Sequence, residues 1–260
     1  MNVHAAFAQF GVRSWKTILG VSVASIGWDD AVRLLQRLIE EDRFTRISFL
    51  NAHNANLATT DGEFAAALED FLILPDGIGV DIAARLLYGT SFPANLNGTD
   101  FVPGFLRETA RPLTVGLIGA KADNVEGAVR NMARLMPRHE FVLVNDGYFT
   151  EAEEQQILER IRTLRPDILL VAMGVPRQEL WIRRNLTGEH CTLPIAVGAL
   201  FDFMSGSVPR APLLVRKLRL EWLFRLTLEP VRLWRRYVVG NPLFIARVLR
   251  DKLLGRQAAL

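Results

Sequence analysis

Along the chain, short apolar runs are separated by stretches in which apolar residues recur at helical spacing. The runs at 18–24, 46–50, 71–74, 113–118, 141–144, 167–172 and 195–197 have strand length, and several are apolar throughout, as strands buried on both faces are. Ala31, Leu34, Leu35, Leu38 and Ile39 predict a helix over 28–40, with Ser25 as its cap. Further helices are expected over 80–88, over 100–109 with Thr99 as cap, over 123–135 and over 150–164. Glu151, Glu153 and Glu154 suit the positive start of the last of these. A helix following Asn51 towards Thr60 is broken by Asp61-Gly62 and resumes over 63–70. Strands alternating with helices as far as about residue 205 predict an α/β fold, a mostly parallel sheet covered by helices on both faces.

Beyond that point the pattern changes. Val208-Pro209-Arg210-Ala211-Pro212 reads as an extended hinge, because each proline restricts its predecessor. The following stretch mixes Arg216, Lys217, Arg219, Arg225, Arg232, Arg235 and Arg236 with Trp222, Phe224, Trp234 and Tyr237. Arg225, Arg232 and Arg236 share a face at helical spacing, and Pro230 is expected to kink or restart the helix. Charge sharpens the division: Gly206 to Leu260 holds twelve Lys or Arg against three Asp or Glu, a balance of +9, while residues 1–205 carry −6. The expected organisation is therefore an α/β domain over 1–205 and a basic helical appendage over 206–260. Such a tail suits an anionic partner, whether membrane surface, nucleic acid or phosphate. Basic residues among aromatic ones fit a helix lying in a membrane interface, and equally a solvated face whose rings pack on the core.

Composition removes other classes. Cys191 is the only cysteine, so neither an intramolecular disulfide nor a cysteine metal cluster is expected. The four histidines, His4, His53, His139 and His190, lack the spacing of a zinc site. No apolar run approaches the roughly 20 residues that span a bilayer. MNVHAAFAQFGVRSWK shows no apolar signal core with a cleavage site, which makes a cytosolic location the expectation. There is no GxxxxGK[ST] loop, and Gly116-Leu117-Ile118-Gly119 lacks the third glycine of a dinucleotide fingerprint.

The candidate chemistry collects where strands end. The run at 71–74 stops at Pro75-Asp76-Gly77, which places Asp76 at a strand's carboxyl end, before a helix. A carboxylate there can serve as general base, and can equally be a turn residue or helix cap. Asn51, His53 and Asn54 follow another strand, and the asparagine amides suit sugar hydroxyls or, again, a simple turn. In Met173–Trp181, MGVPRQELW, Arg177 and Gln178 fall near a helix start that favours phosphate, and Glu179 is at least a well-placed first-turn acid. Phe201-Asp202 and Gly206 follow a further strand end.

PDGIGV, NGTDF, MGVPRQELW, GALFDFMSG, RAP and EWLFRLTLEPVRLWRRY occur here in one order. With these six motifs the chain resembles the WecG/TagA/CpsF glycosyltransferases, glycosyltransferase family 26, from about Ile18 to Tyr237. The resemblance implies an inverting, metal-independent enzyme without a cofactor at the cytoplasmic membrane face. It would move a hexose from a UDP-sugar to a sugar on a polyprenyl diphosphate in exopolysaccharide or cell-surface polysaccharide synthesis. Asp76 matches the family's base. The candidate binding residues are Asn51, Gly77, Gly98, Asp100, Gly119, Gly174, Gln178, Glu179, Asp202 and Arg210. Arg225, Arg232 and Arg236 of the tail join them, meeting the diphosphate. Phe49 stands where teichoic-acid members carry Thr, and Asn95 where an Arg is common, which widens the donor from N-acetylmannosamine to a plain hexose such as glucose. The implied partners are donor, acceptor and an anionic membrane surface, without nucleic acid and with room for a homo-oligomer. The alternative from another class is a non-catalytic α/β module that binds a nucleotide or RNA with the basic tail as anchor.

Overall fold

The computed structural model describes residues 14–212 and 220–255, with Phe7, Phe10, Val12 and Val215; Arg216, Lys217 and Arg219 lie outside the described residues. Six strands form one all-parallel sheet: β3 (Arg46–Leu50), β4 (Phe71–Pro75), β5 (Thr114–Gly119), β6 (Glu140–Asn145), β7 (Ile168–Ala172) and β8 (Leu193–Ala196). Their order across the sheet is β4-β3-β8-β7-β5-β6. The strand ending in Pro75 is at an edge, where a missing N–H breaks no ladder.

The run expected as a single strand over 18–24 is instead a hairpin, β1 (Trp15–Ile18) and β2 (Val21–Ala24), paired antiparallel. Leu19 at φ 48° and Gly20 at φ 84° make its two-residue turn, which the surrounding β-branched residues disguise.

Helices cover both faces, as the alternation predicts. On one side lie α1 (Trp28–Glu40), α5 (Gly98–Glu108), α6 (Ala122–Leu135) and α9 (Leu200–Ser205), burying Leu34, Leu38, Phe101, Phe105, Ala128 and Phe201 against the sheet. The other side carries α2 (Ala52–Ala58), α3 (Gly62–Leu68), α4 (Ile78–Tyr88), α7 (Glu151–Leu164) and α8 (Arg177–Asn185). Two caps differ from expectation. Gly27, not Ser25, precedes α1, and Asn97 rather than Thr99 caps α5, because its Oδ1 accepts the Asp100 N–H at 2.9 Å. Thr99 donates its hydroxyl to that same oxygen at 2.7 Å.

The basic segment is helical but broken. α10 (Glu221–Leu228) stops before Pro230, which opens α11 (Pro230–Trp234) at the position where its absent N–H is not needed. One π-helical turn (Arg235–Val239) then leads into α12 (Gly240–Leu253). That last helix packs back on α2 and α4, sinking Phe244 and Val248 into the same core as Val80 and Ala83.

Candidate active site

Because the six strands are parallel, their carboxyl ends share one rim, and a cleft of about 1330 Å³ runs along it. Asn51 lies after β3, Asp76 after β4, Ala120 after β5, Tyr148 beyond β6, Gly174 after β7 and Gly198 after β8. The tail helices close the cleft from above with Trp222, Arg225, Arg232, Arg236 and Tyr237.

At the β3–β4 end one amide does two jobs. Asn51 Oδ1 caps α2, accepting the N–H groups of His53 and Asn54 at 3.1 Å each. Its Nδ2 is thereby turned outward and donates to Asp76 Oδ2 at 3.1 Å. Aspartate at 51 would cap equally well but would set a second carboxylate beside Asp76. The Asp76 backbone N–H reaches Leu50 O at 2.9 Å, which extends the ladder by one residue and fixes where the side chain leaves the sheet. Gly77 follows at φ 88°, a conformation a side chain would resist, and its N–H donates to Asn95 Oδ1 at 2.8 Å. Burial raises the Asp76 carboxyl above its ordinary range, against the lowering influence of the Asn51 hydrogen bond, Arg236 and Arg225, while Asp100 reinforces the rise.

The floor at the sheet's centre is a polar knot. Glu179 is fully buried, and its Oε1 accepts from Ser48 Oγ and Gln178 Nε2, both at 2.9 Å. Gln178 Oε1 in turn accepts the Gly198 N–H at 3.1 Å, tying α8 to the turn after β8. Glu179 Oε2 has no protein partner, and burial pushes the carboxyl up to about 7. Arg177, by contrast, lies over the Phe149 ring at 5.6 Å and lines a separate cavity of about 360 Å³.

Towards β5 and β6, Asn124 Nδ2 donates to Asp202 Oδ1 at 2.7 Å, beside Lys121 and the open Tyr148 ring. Gly119, at φ 122°, does not line the cleft: a Cβ there would sit 2.4 Å from Ala172 O, so its place is a close backbone contact beneath the rim. Gly98 does line it, set against the Phe49 ring. Arg210 is also off the lining. It pairs with Asp100, donates to Thr99 O at 3.2 Å and stands 3.6 Å from Glu221, bracketing the tail to α5. Asp100 and Arg232 keep protein partners within the cleft, Asp100 from Asn97 Nδ2 at 3.0 Å and Arg232 on Glu229 at 2.5 and 2.6 Å. Arg225 and Arg236 differ: the Nε of each is enclosed without a hydrogen-bond acceptor among the described residues. Burial lowers the Arg236 pKa, and burial together with Arg236 lowers that of His53 to about 4. Among the described residues, no three His, Cys, Asp or Glu side chains stand where they would share a metal ion, and no helix is long and apolar enough to cross a membrane.

A strand-end carboxylate above a polar cleft, faced by half-buried guanidinium groups, is an arrangement suited to an anionic, polar ligand. The sequence then gives the particular kind: the chain belongs to the glycosyl transferase WecG/TagA/CpsF family, whose profile matches residues 16–258. It is similar to the N-acetylglucosaminyldiphosphoundecaprenol N-acetyl-beta-D-mannosaminyltransferase of Bacillus subtilis (strain 168), with 31% identity over 208 residues, 79% of each chain. The enzyme of the same name from Bacillus spizizenii (strain ATCC 23059 / NRRL B-14472 / W23) is 30% identical over 181 residues, 69% of this chain and 68% of that one. The protein is thus a glycosyltransferase, and the reading as a non-catalytic module falls.

Proposed function

We propose that the protein moves a hexose from a UDP-sugar to a sugar carried on a polyprenyl diphosphate, with inversion at the anomeric carbon. The observation that carries this is Asp76, held by Asn51 at one end of a cleft whose roof offers Arg225 and Arg236. In the reaction an acceptor hydroxyl oxygen bonds to the anomeric carbon, the bond from that carbon to the diphosphate oxygen breaks, and UDP leaves with the electron pair. The hydroxyl proton passes to Asp76. Arg225 and Arg236 stabilise the charge growing on the diphosphate, which dispenses with a divalent metal. The nucleotide lies towards β5 and β6, where the Tyr148 ring is open for stacking and Lys121 and Asp202 for polar contacts. Gln178, Glu179 and the Gly174 and Gly198 turns shape the middle, where the hexose sits.

Residues 1–205 form the catalytic domain with the base, and residues 206–260 supply the diphosphate-binding arginines, close the cleft and rest on the inner face of the cell membrane. Exposed Val231, Trp234, Val238 and Leu253 supply apolar contact, and the tail's net charge attracts anionic lipid. The curated relatives' names support a lipid-diphosphate-linked acceptor. The donor is of the glucose or N-acetylmannosamine type, and the product enters a bacterial exopolysaccharide or cell-surface polysaccharide. A transfer assay over a panel of UDP-hexoses, with a polyprenyl-diphosphate-linked N-acetylglucosamine or glucose acceptor, tests this. One donor is expected to be used, at a rate unchanged by EDTA. No transfer from any UDP-hexose overturns the donor class, and loss with EDTA restored by Mg²⁺ overturns metal independence.

A further inference from the structure

The tail's cations are not alone at the Asp76 end of the cleft. His53 lines it from the body side, in the first turn of α2, with its backbone N–H anchored on Asn51 Oδ1 at 3.1 Å. Among the described residues its imidazole makes no hydrogen bond or ion pair. Arg236 acts on it from the π-helical turn, and Arg225 and Arg236 each enclose an Nε without an acceptor. The anionic side chains acting on this corner are Asp76, Asp100 and, on Arg225, Glu229; Asp100 is already engaged by Arg210 and Glu229 by Arg232. Arg225 and Arg236 both act on Asp76, and Arg236 also acts on the His53 imidazole, so the cations of this corner outnumber the carboxylate left to them. An enclosed guanidinium N–H without an acceptor is costly, and a ligand carrying several negative oxygens removes that cost.

We infer that His53 is a further diphosphate-binding residue, which makes the diphosphate site a composite of the β3–α2 turn and the closing tail. This rests on the proposed diphosphate chemistry of the cleft, but not on which sugar is moved. The structure supplies a second reason. Burial and, after it, Arg236 disfavour the protonated imidazole, and a polyanion seated between His53 and Arg236 opposes both: it stabilises the protonated ring and neutralises the guanidinium. The imidazole then donates a charge-assisted hydrogen bond instead of repelling its neighbour. A ligand that favours the protonated ring must itself bind more tightly as that ring protonates.

The experiment follows the histidine resonances of the full chain by NMR, with His53→Gln assigning the signal. The pH titration is repeated with saturating inorganic pyrophosphate, UDP or geranyl diphosphate. The free protein is expected to show a His53 pKa well below the ordinary value, and pyrophosphate to move it up towards about 6.5. His53→Gln is expected to keep its melting temperature and to bind pyrophosphate about tenfold more weakly at pH 6. A shift with UDP alone assigns the donor's diphosphate, and a shift with geranyl diphosphate alone assigns the acceptor's; both outcomes support the site. No shift with any of the three, or unchanged affinities in a folded His53→Gln protein, overturns it. Failure of every UDP-hexose in the transfer assay sinks the donor reading, yet leaves the pyrophosphate titration to decide this one.

Discussion

The body and the tail use the same residue types to opposite ends. In the body, arginines are consumed by structure: Arg165 pairs with Asp42 and Arg183 with Asp70, both at 2.7 Å, and Arg160 donates to the carbonyls of Val144 and Leu143. In the tail, Arg225 and Arg236 turn inward with an Nε unanswered. Apolar side chains divide likewise. Of thirteen exposed large hydrophobic residues among those described, ten fall between Leu223 and Leu254, in a small fraction of the chain. The body is largely finished as a folded object, with Arg46 Nε, Asn54 Oδ1 and Glu179 Oε2 left unanswered among its described residues. The much shorter tail turns cations towards the cleft and apolar residues towards solvent. That contrast is what the proposed substrate and membrane contacts of the tail would answer.

The comparison breaks most sharply at Asp76. Asp76→Asn keeps the shape and is expected to lose about 10²–10⁴ in kcat with the melting temperature kept. Because burial raises the Asp76 carboxyl, the acid limb of the wild-type rate profile lies above the ordinary carboxylate range, with activity rising as pH rises through it. Full turnover in the folded variant would assign the base to another residue. At the seam between the two regions, Phe244→Ala removes a fully buried ring and is expected to cost about 3–5 kcal/mol in chemical denaturation. A cost near zero would mean that α12 belongs with the loose tail instead of the core.

Glu179 tests whether the body is as finished as it looks. Its carboxyl titrates near 4.5 unfolded and about 7 folded, so the folded state holds the proton more tightly and loses stability as pH rises between those values. Glu179→Gln is expected to flatten the fall in unfolding free energy across that window, by up to about 3 kcal/mol. Parallel curves for wild type and variant would show that the carboxylate is compensated in place. The smallest effect is at Val231, 88% exposed on α11. Val231→Asp is expected to weaken sedimentation with anionic vesicles by about 1–2 kcal/mol while leaving transfer to a short-chain soluble acceptor unchanged. Equal sedimentation would remove this residue from the membrane face.

What the sequence discloses follows from the range of each interaction. The continuous apolar runs that became β4, β5 and β7 need only local reading, because burial on both faces leaves no polar alternation. Asp76 and Asn51 stand out as polar residues closing such runs, and the tail as a reversal of charge. The role of Glu179 is not visible there, since it depends on Ser48, 131 positions away. Tyr148 carried no signal either: it is a loop residue brought to the rim by the register of β6 on β5. The cap of α5 was misplaced because Asn97 and Thr99 are both good capping residues, and only the fold decides which oxygen meets the Asp100 N–H.

The position of β8 has a consequence for how the enzyme comes into being. It is the last strand among the described residues, yet it lies in the middle of the sheet, between β3 and β7. A ribosome must deliver all the other strands of the sheet before Leu193–Ala196 can enter that gap. Until then β4-β3 and β7-β5-β6 share no ladder, and the facing edges of β3 and β7 are open to pairing with other chains. A nascent chain released before that moment has both halves of a catalyst and a sticky seam between them, and any factor that shields those two edges during synthesis protects the cleft before it exists.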